Sequence, residues 1–250
     1  MRHIYRIASL NINGIANPTR IRMLGEFLWQ QDIDVILLQE VTSKAIEQIH
    51  NYTKHINIGT DHRGTALLVK DGIQINNITC LPSGRGIAGD WEGIHIINIY
   101  APSGAEKKDE RETFYNKDIL PLLPTTNLEI IIAGDFNCTL NTADTTGRTM
   151  PSKALTILIK GLQLQDTGQM NNTHQVFTHY TPKGAARIDR IYISPNLKGR
   201  QAGIETKPAA FTDHMAVILK IATDDQILIQ GREYWRMNTL LVRDNVIQQN

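Results

Sequence analysis

The chain has 250 residues, 41% of them hydrophobic, and its 26 basic against 25 acidic residues leave a formal net charge of +1. That length supports one large core or two modest ones, and the composition excludes a chain disordered over most of its length. So even a balance excludes a protein-wide basic footprint, and any cationic surface has to be local.

Arg6 to Gly14 alternates apolar Ile7, Leu10 and Ile12 with polar Ser9, Asn11 and Asn13, the pattern of a strand. Asn17-Pro18 supplies a cap and a proline at the first helical position. Ile21, Leu24 and Leu28 then repeat at helical spacing, predicting a helix over 18–30. Asp34 to Glu40 is a second apolar run, and Thr42 caps a short helix carrying Ile46 and Ile49. From about Ile56 the chain turns to short strands split by turn residues, predicted near 64–70, 73–80, 85–91 and 93–100. A polar helix is expected from about Ser103 through Leu120, closed by Pro121 and Pro124. A central strand over 128–134 follows, then a polar loop from Asn137 to Met150 and a helix capped by Ser152. Strands near 174–179, 186–194, 201–206 and 214–222 complete the body, and after Thr223 the alternation stops. Two halves of similar content predict an α/β (α+β) fold: two mixed β-sheets packed face to face with helices outside, a four-layer sandwich. Residues 1–223 read as one domain and 224–250 as a tail or linker.

The run Ile130-Ile131-Ile132-Ala133-Gly134 ends in Asp135-Phe136-Asn137, and strand alternation would bring Asp135 and Asn137 out on one side. Other apolar runs deliver Asn11 with Asn13, Glu40, Tyr100, Asp189 and Asp213-His214 to strand ends, where loops from different strands converge. Buried carboxylates are costly unless paired or metal-bound, so this many point to a hard-cation site with oxygen ligands, as Mg²⁺ prefers. Zinc spacing is absent. Cys80 and Cys138 form no CxxC pair, which favours a reducing compartment, with Cys138 a small buried hydrophobe. His95, His174 and His179 read as strand-surface histidines. No stretch approaches a membrane span and the N-terminus lacks a signal-peptide core, so no membrane partner is expected.

The blocks Ser9-Leu10-Asn11-Ile12-Asn13-Gly14, Leu38-Gln39-Glu40, Asn98-Ile99-Tyr100-Ala101-Pro102, Gly134-Asp135-Phe136-Asn137, Ile188-Asp189-Arg190-Ile191 and Thr212-Asp213-His214 occur in this order. Together they resemble the signature of the exonuclease–endonuclease–phosphatase superfamily. Arg63-Gly64-Thr65-Ala66, and Tyr100 to Gly104 with Phe114-Tyr115, look most like the endonuclease domains of non-LTR retrotransposons. Tyr234-Trp235-Arg236-Met237-Asn238 resembles the segment that follows that domain in long interspersed elements, before the reverse transcriptase.

The resemblance implies a Mg²⁺-dependent DNA endonuclease, with Mn²⁺ able to substitute. It would nick target DNA to leave 3′-hydroxyl and 5′-phosphate ends and prime insertion. It further implies a reverse transcriptase domain in the same polyprotein and work in the nucleus. Glu40 would ligate the metal with Asn11 or Asn13 and Asp213. His214, held by Asp189, would sit near the phosphate, Asp135 would be the base, and Asn137 and Tyr100 would donate to phosphate oxygens. Abasic-site endonuclease, or inositol or lipid phosphoesterase, is the alternative within the superfamily. Val176 and Ala186 stand where abasic-site enzymes carry aromatic walls, so weak abasic activity is expected. The loop between Thr178 and Ile188 would probe the minor groove. Thr178, Tyr180, Lys183 and Arg187 from this region, with Arg63 and Arg148, are the expected DNA contacts. Two departures from the pattern are Thr212, where serine is common, and Arg190, where histidine or an aromatic is usual, which should alter local DNA contacts.

Overall fold

The aliphatic runs become strands buried on both faces, each flanked by turns that the chain's Gly, Asn and Asp residues permit. A computed structural model describes residues 4–42, 44–60, 62–126, 128–170 and 176–222. One six-stranded sheet has the order β13 (Gln201–Pro208), β14 (Met215–Ala222), β1 (Ile4–Asn11), β2 (Val35–Gln39), β4 (Gly64–Lys70), β3 (Tyr52–Ile58). The other has the order β5 (Asn76–Cys80), β6 (Gly86–Trp91), β7 (Ile94–Tyr100), β8 (Glu129–Asp135), β12 (Asp189–Ile193), β9 (Gln165–Asp166). Each sheet is mixed: β1 runs parallel to β2, β7 parallel to β8, and the remaining pairings are antiparallel. A separate hairpin pairs β10 (His179–Thr181) with β11 (Gly184–Ala186).

Three apolar layers hold the sandwich. Ile7, Val35, Leu37, Leu67, Ile96, Ile131, Ile191 and Leu219 fill the space between the sheets. Ala8, Leu10 and Leu38 face outward onto Ile21, Leu24 and Leu28 of helix α1 (Pro18–Gln30). Ile97, Ile99 and Ile132 face the other way, onto Phe114, Tyr115 and Leu155. Fully burying one such aliphatic side chain contributes about 1.5–3 kcal/mol, before conformational entropy is subtracted. Helix α1 starts as its sequence predicts, with Asn17 accepting from the Thr19 amide and proline in the first turn. Ser152 likewise accepts from the Leu155 amide to cap the helix over Lys153–Gly161.

Some elements differ from expectation. The polar helix expected over 103–120 is one α turn and a half, Lys108–Thr113, followed by a π segment, Phe114–Asp118, and a 3₁₀ turn, Leu120–Leu122. That lets Phe114 and Tyr115 both reach the core. The helix expected after Thr42 is a 3₁₀ turn over Lys44–Gln48. Strand β3 was not anticipated, because Thr53, Lys54, His55 and Asn57 weaken its alternation at a sheet edge. Residues 176–178 are not in a strand, and the rest of the strand expected from 174, together with His174 and the 224–250 tail, lies outside the described residues. The single strand expected over 186–194 splits into the end of β11 and all of β12. Among the described residues, no helix is long and apolar enough to cross a membrane.

Candidate active site

The layer between the sheets changes character along the strands. At one end it is aliphatic. Further along, Ser9, Gln39 and Asn98 replace the aliphatics, all fully buried, and Gln39 Nε2 donates across the sandwich to Asn98 Oδ1 at 2.7 Å. Asn98 Nδ2 in turn donates to the Leu38 and Ala66 carbonyls of the facing sheet, both at 2.9 Å. One step beyond lies a cluster of acids.

Strand pairing assembles that cluster. Parallel pairing sets Tyr100 beside Asp135, and antiparallel pairing sets Asp189 opposite Asp135. Gly134 makes this possible: its φ is +146°, and a Cβ there would lie 2.0 Å from the Ile99 carbonyl oxygen. From the other sheet, Asn11 Nδ2 donates to Asp135 Oδ2 at 2.9 Å and to Glu40 Oε1 at 3.2 Å, bridging the two carboxylates. The Tyr100 hydroxyl donates to Glu40 Oε1 at 3.0 Å and accepts from Arg63 Nη1 at 3.3 Å. The Asn137 amide N–H closes onto Asp135 Oδ1 at 2.9 Å. Asn13 Nδ2 donates to Asp213 Oδ1 at 3.1 Å, and the Thr212 hydroxyl donates to the Asn11 carbonyl at 2.9 Å. His214 Nδ1 lies 3.1 and 3.0 Å from the two oxygens of Asp189. Asn13, Glu40 and Asn137 all take left-handed backbone angles, with φ of 46°, 54° and 46°. Two of these three are asparagine, the non-glycine residue that tolerates this conformation best.

Electrostatics follow from this packing. Burial and the facing Asp189 push the Asp135 carboxyl up to about 7, against the pull of His214 and Asn11. Burial alone would lower His214, but the charge and hydrogen bond of Asp189 outweigh it and raise the imidazole to about 9. Burial, then the Glu40 and Asp135 charges, push the Tyr100 phenol up to about 12, so it remains a donor at neutral pH. Burial works against the Asp213 carboxylate, yet His214 and the Asn13 hydrogen bond more than offset it and hold its carboxyl low. The result is an ionised histidine, a carboxyl poised to gain or lose a proton near neutrality, and a neutral phenol, all within one pit.

Most of the expected site residues meet here: Asn11, Asn13, Glu40, Tyr100, Asp135, Asn137, Asp189, Asp213 and His214. The donor set is oxygen-rich, and Cys138 is buried elsewhere, with its thiol pushed up to about 11 by burial. That chemistry fits a hard cation held by Glu40 or Asp213 and completed by water and a ligand phosphate. Two trios have ligand atoms within 4.8 Å of one another, Asp135–Asp189–His214 and His179–Asp213–His214. Glu40 belongs to neither, so it and Asp213 do not form one ready chelate.

Several expectations are corrected. Asn137 does not leave the strand alongside Asp135, because β8 ends at Asp135 and the left-handed turn aims the amide at the Ala101 carbonyl, 2.9 Å away. Arg187 is 4% exposed, with Nε on Asp144 Oδ1 at 2.9 Å and both terminal nitrogens on Asp166 at 3.1 and 2.8 Å. Its guanidinium is spent inside the protein and is withdrawn as a DNA contact. Arg190 is buried with it, donating to Asp144 Oδ2 at 2.9 Å, so the departure from histidine is internal and changes no DNA contact. Thr178 is buried too, its hydroxyl accepting from the Ile188 and Asp189 amides at 3.1 and 3.0 Å, which fixes Asp189 rather than a ligand. His95 is not a surface residue, since it is 6% exposed between Asp90 and the Leu122 carbonyl.

Arg63, Arg148, Tyr180 and Lys183 are exposed as a ligand contact requires. Tyr180 and Lys183 project from the β10–β11 hairpin, and Arg148 lines a cleft of about 560 Å³ with Lys108 and Thr149. Two further residues border the pit. Arg85 lies over the Tyr100 ring, 5.1 Å from its centroid, and His179 stacks on His214 with ring centroids 4.4 Å apart. The β10 register gave the one available signal for His179, but a short hairpin strand is not legible beforehand.

The model of the Endonuclease/Exonuclease/phosphatase family matches residues 8–214. A curated relative, the uncharacterized 149 kDa protein of transposon TX1 from Xenopus laevis, is 29% identical over 263 residues. That match covers 95% of this chain but only 19% of the relative's length. Among solved structures, an AP endonuclease from Archaeoglobus fulgidus superposes with a TM-score of 0.73 at 18% identity, over 87% of this chain and 99% of that one. A 3′–5′ exonuclease from Neisseria meningitidis superposes with a TM-score of 0.70 at 18% identity, over 86% and 99%. The two solved structures share this two-sheet sandwich, and the match spanning the catalytic pit from β1 to His214 makes this chain a member of the Endonuclease/Exonuclease/phosphatase family.

Proposed function

We propose that this chain is a Mg²⁺-dependent DNA endonuclease domain that nicks duplex target DNA, leaving 3′-hydroxyl and 5′-phosphate ends for retrotransposon insertion. The observation that carries this reading is the Asp135–Asp189–His214 constellation, with Asp135 tied to Glu40 through Asn11. The relative from a transposon, of which this chain spans 19%, supports a transposon setting and a longer protein; a reverse transcriptase domain in that longer protein is part of the proposal. Work on chromosomal DNA would require the protein to act in the nucleus.

A water beside Asp135 would lose its proton to that carboxylate, which needs a basicity near neutrality to act as a general base. His214, charged and held by Asp189, would stabilise negative charge growing on the phosphate. The Asn11 amide would keep Asp135 and Glu40 in register, and Tyr100 would orient Glu40 with Asn13 orienting Asp213. A bound Mg²⁺, or Mn²⁺ in its place, would polarise the phosphate and offset charge on the leaving oxygen. Glu40 or Asp213 would hold it, with water and the phosphate completing its shell. Arg63, Arg148, Tyr180 and Lys183 would engage the flanking duplex.

The test is nicking of supercoiled plasmid with Mg²⁺ by the parent, Asp135→Ala and His214→Ala, with the ends of the product mapped. Activity in the parent alone, with 3′-hydroxyl ends, is expected. A parent that leaves the plasmid intact, or an Asp135→Ala protein that nicks normally, refutes the reading. A comparison of intact with abasic duplex decides between target nicking and abasic-site repair. Val176 and Ala186 stand where abasic-site enzymes carry aromatic walls, so only weak activity at abasic sites is expected. Inositol phosphate added as competitor should leave nicking unchanged, against the phosphoesterase alternative.

A further inference from the structure

His179 was read from sequence as a surface histidine, yet it sits against the catalytic pit through three kinds of contact. Its ring lies on that of His214 at 4.4 Å between centroids and 29° between planes. Its Nε2 is 3.4 Å from Asp213 Oδ2. Its backbone forms an isolated antiparallel bridge with His214, flanked by the Tyr180 amide on the Asp213 carbonyl (3.2 Å) and the Met215 amide on the Thr178 carbonyl (2.7 Å).

We infer that His179 is a positioning residue for His214: its ring holds the catalytic imidazole in register on Asp189 and ties that register to the β10–β11 hairpin. Asp189 anchors His214 only at Nδ1, and an anchor at one atom leaves the ring free to swing about it. The face of the ring is where swing is stopped, and His179 occupies that face. Its own placement comes from the hairpin strand that carries Tyr180, an exposed side chain proposed above as a DNA contact. A shift of the hairpin is therefore transmitted to the catalytic ring through one stacked pair.

A metal centre made of the same three residues is the competing explanation. Imidazole lone pairs lie in the ring plane, so two stacked rings direct them along nearly parallel planes rather than toward one ion. His214 Nδ1 is also occupied by Asp189. The stack thus orients rather than chelates.

The inference rests on the endonuclease reading, and the experiment separates the two. Steady-state plasmid nicking is measured for the full chain as parent, His179→Ala, His179→Phe and His179→Asn, alongside the NMR signal of the His214 ring. His179→Ala should lower kcat about 10- to 100-fold with KM little changed, the range expected for a catalytic group displaced by about an ångström. His179→Phe, which keeps a ring but no nitrogen, should restore most of the rate, and His179→Asn should not. The His214 signal should move in the Ala variant and return in the Phe variant. Parental kcat in the Ala variant, a rise in KM alone, or rescue by Asn and not Phe overturns the inference. A parent that never nicks overturns the endonuclease reading instead, and the His214 signal then decides the stacking by itself.

Discussion

The buried quartet Asp144, Asp166, Arg187 and Arg190 offers the sharpest test of what fixes the loop from Asn137 to Met150. Asp144 is 1% exposed, and its two oxygens accept from Arg187 Nε and Arg190 Nη2, both at 2.9 Å. Oδ2 also accepts from the Leu140 and Asn141 amides at 2.9 and 3.2 Å. Asp144→Asn keeps the shape but leaves two buried guanidiniums facing one carboxylate, and turns an NH₂ group toward N–H donors. Breaking a buried pair costs about 3–5 kcal/mol. The lower figure applies, because Arg187 keeps its two bonds to Asp166. A loss of about 3 kcal/mol lowers Tm by roughly 6–12 °C at this chain length. Urea unfolding followed by circular dichroism should show that loss with an unchanged slope. The sign with pH is also fixed. Burial alone would raise the Asp144 carboxyl, but Arg190 and Arg187 outweigh it and hold it below its ordinary 3.8. Its stabilisation is therefore present above pH 3.8 and is lost as pH falls through the depressed native value, where parent and variant should converge. A loss under about 1 kcal/mol at neutral pH would refute the argument, since it would make the quartet equivalent to a screened surface pair.

Three other outcomes are expected. Gly134→Ala forces a Cβ onto the Ile99 carbonyl at a φ of +146°, so it should cost about 2–4 kcal/mol in the same unfolding assay; a neutral substitution would mean that β7 and β8 can separate freely. Tyr100→Phe removes the hydroxyl that orients Glu40, so half-saturation of nicking by Mg²⁺ should rise about 10- to 100-fold, and an unchanged Mg²⁺ curve would assign the phenol to another task. The rate kcat/KM should climb as the Asp135 carboxyl ionises near pH 7 and fall as the His214 imidazolium is lost near pH 9, both limbs belonging to the coupled trio; a flat profile from 6 to 10 would exclude this acid–base pair.

What could be read in advance was whatever depends on one strand at a time. Apolar runs that end in Asp135 and Glu40 or begin at Asp189 and His214 place those residues at strand ends, and Asn17 and Ser152 mark helix starts. What failed depended on facing partners. Arg187 and Arg190 look like surface cations until Asp144 and Asp166 arrive from other elements to bury them. The alternation of β1 marks a strand but not what its polar residues face, and Ser9 and Asn11 are fully buried. Ser9 meets Gln39 of the neighbouring strand β2, and Asn11 reaches across to Asp135 of the other sheet. Short, polar β3 and the three-residue strands of the hairpin carry too little periodicity to register.

The change from aliphatic to polar between the sheets also explains why the site has the charge it has. A sandwich interior cannot accept Asp135 and Asp189 side by side unless each is compensated. His214 is hydrogen-bonded to Asp189, whereas the hydrogen bonds to Asp135 come from neutral groups, the Asn11 amide and the Asn137 N–H. Burial and the facing Asp189 charge outweigh the pull of His214 and of these hydrogen bonds, so Asp135 holds its proton more tightly than a free carboxyl. Glu40 accepts from the Asn11 amide and the Tyr100 hydroxyl, both neutral donors. A DNA phosphate would add one more negative charge to a pit already short of positive ones. Binding it there requires a cation to arrive with it, and the oxygen ligands of Glu40 and Asp213 stand at the rim where that cation would enter.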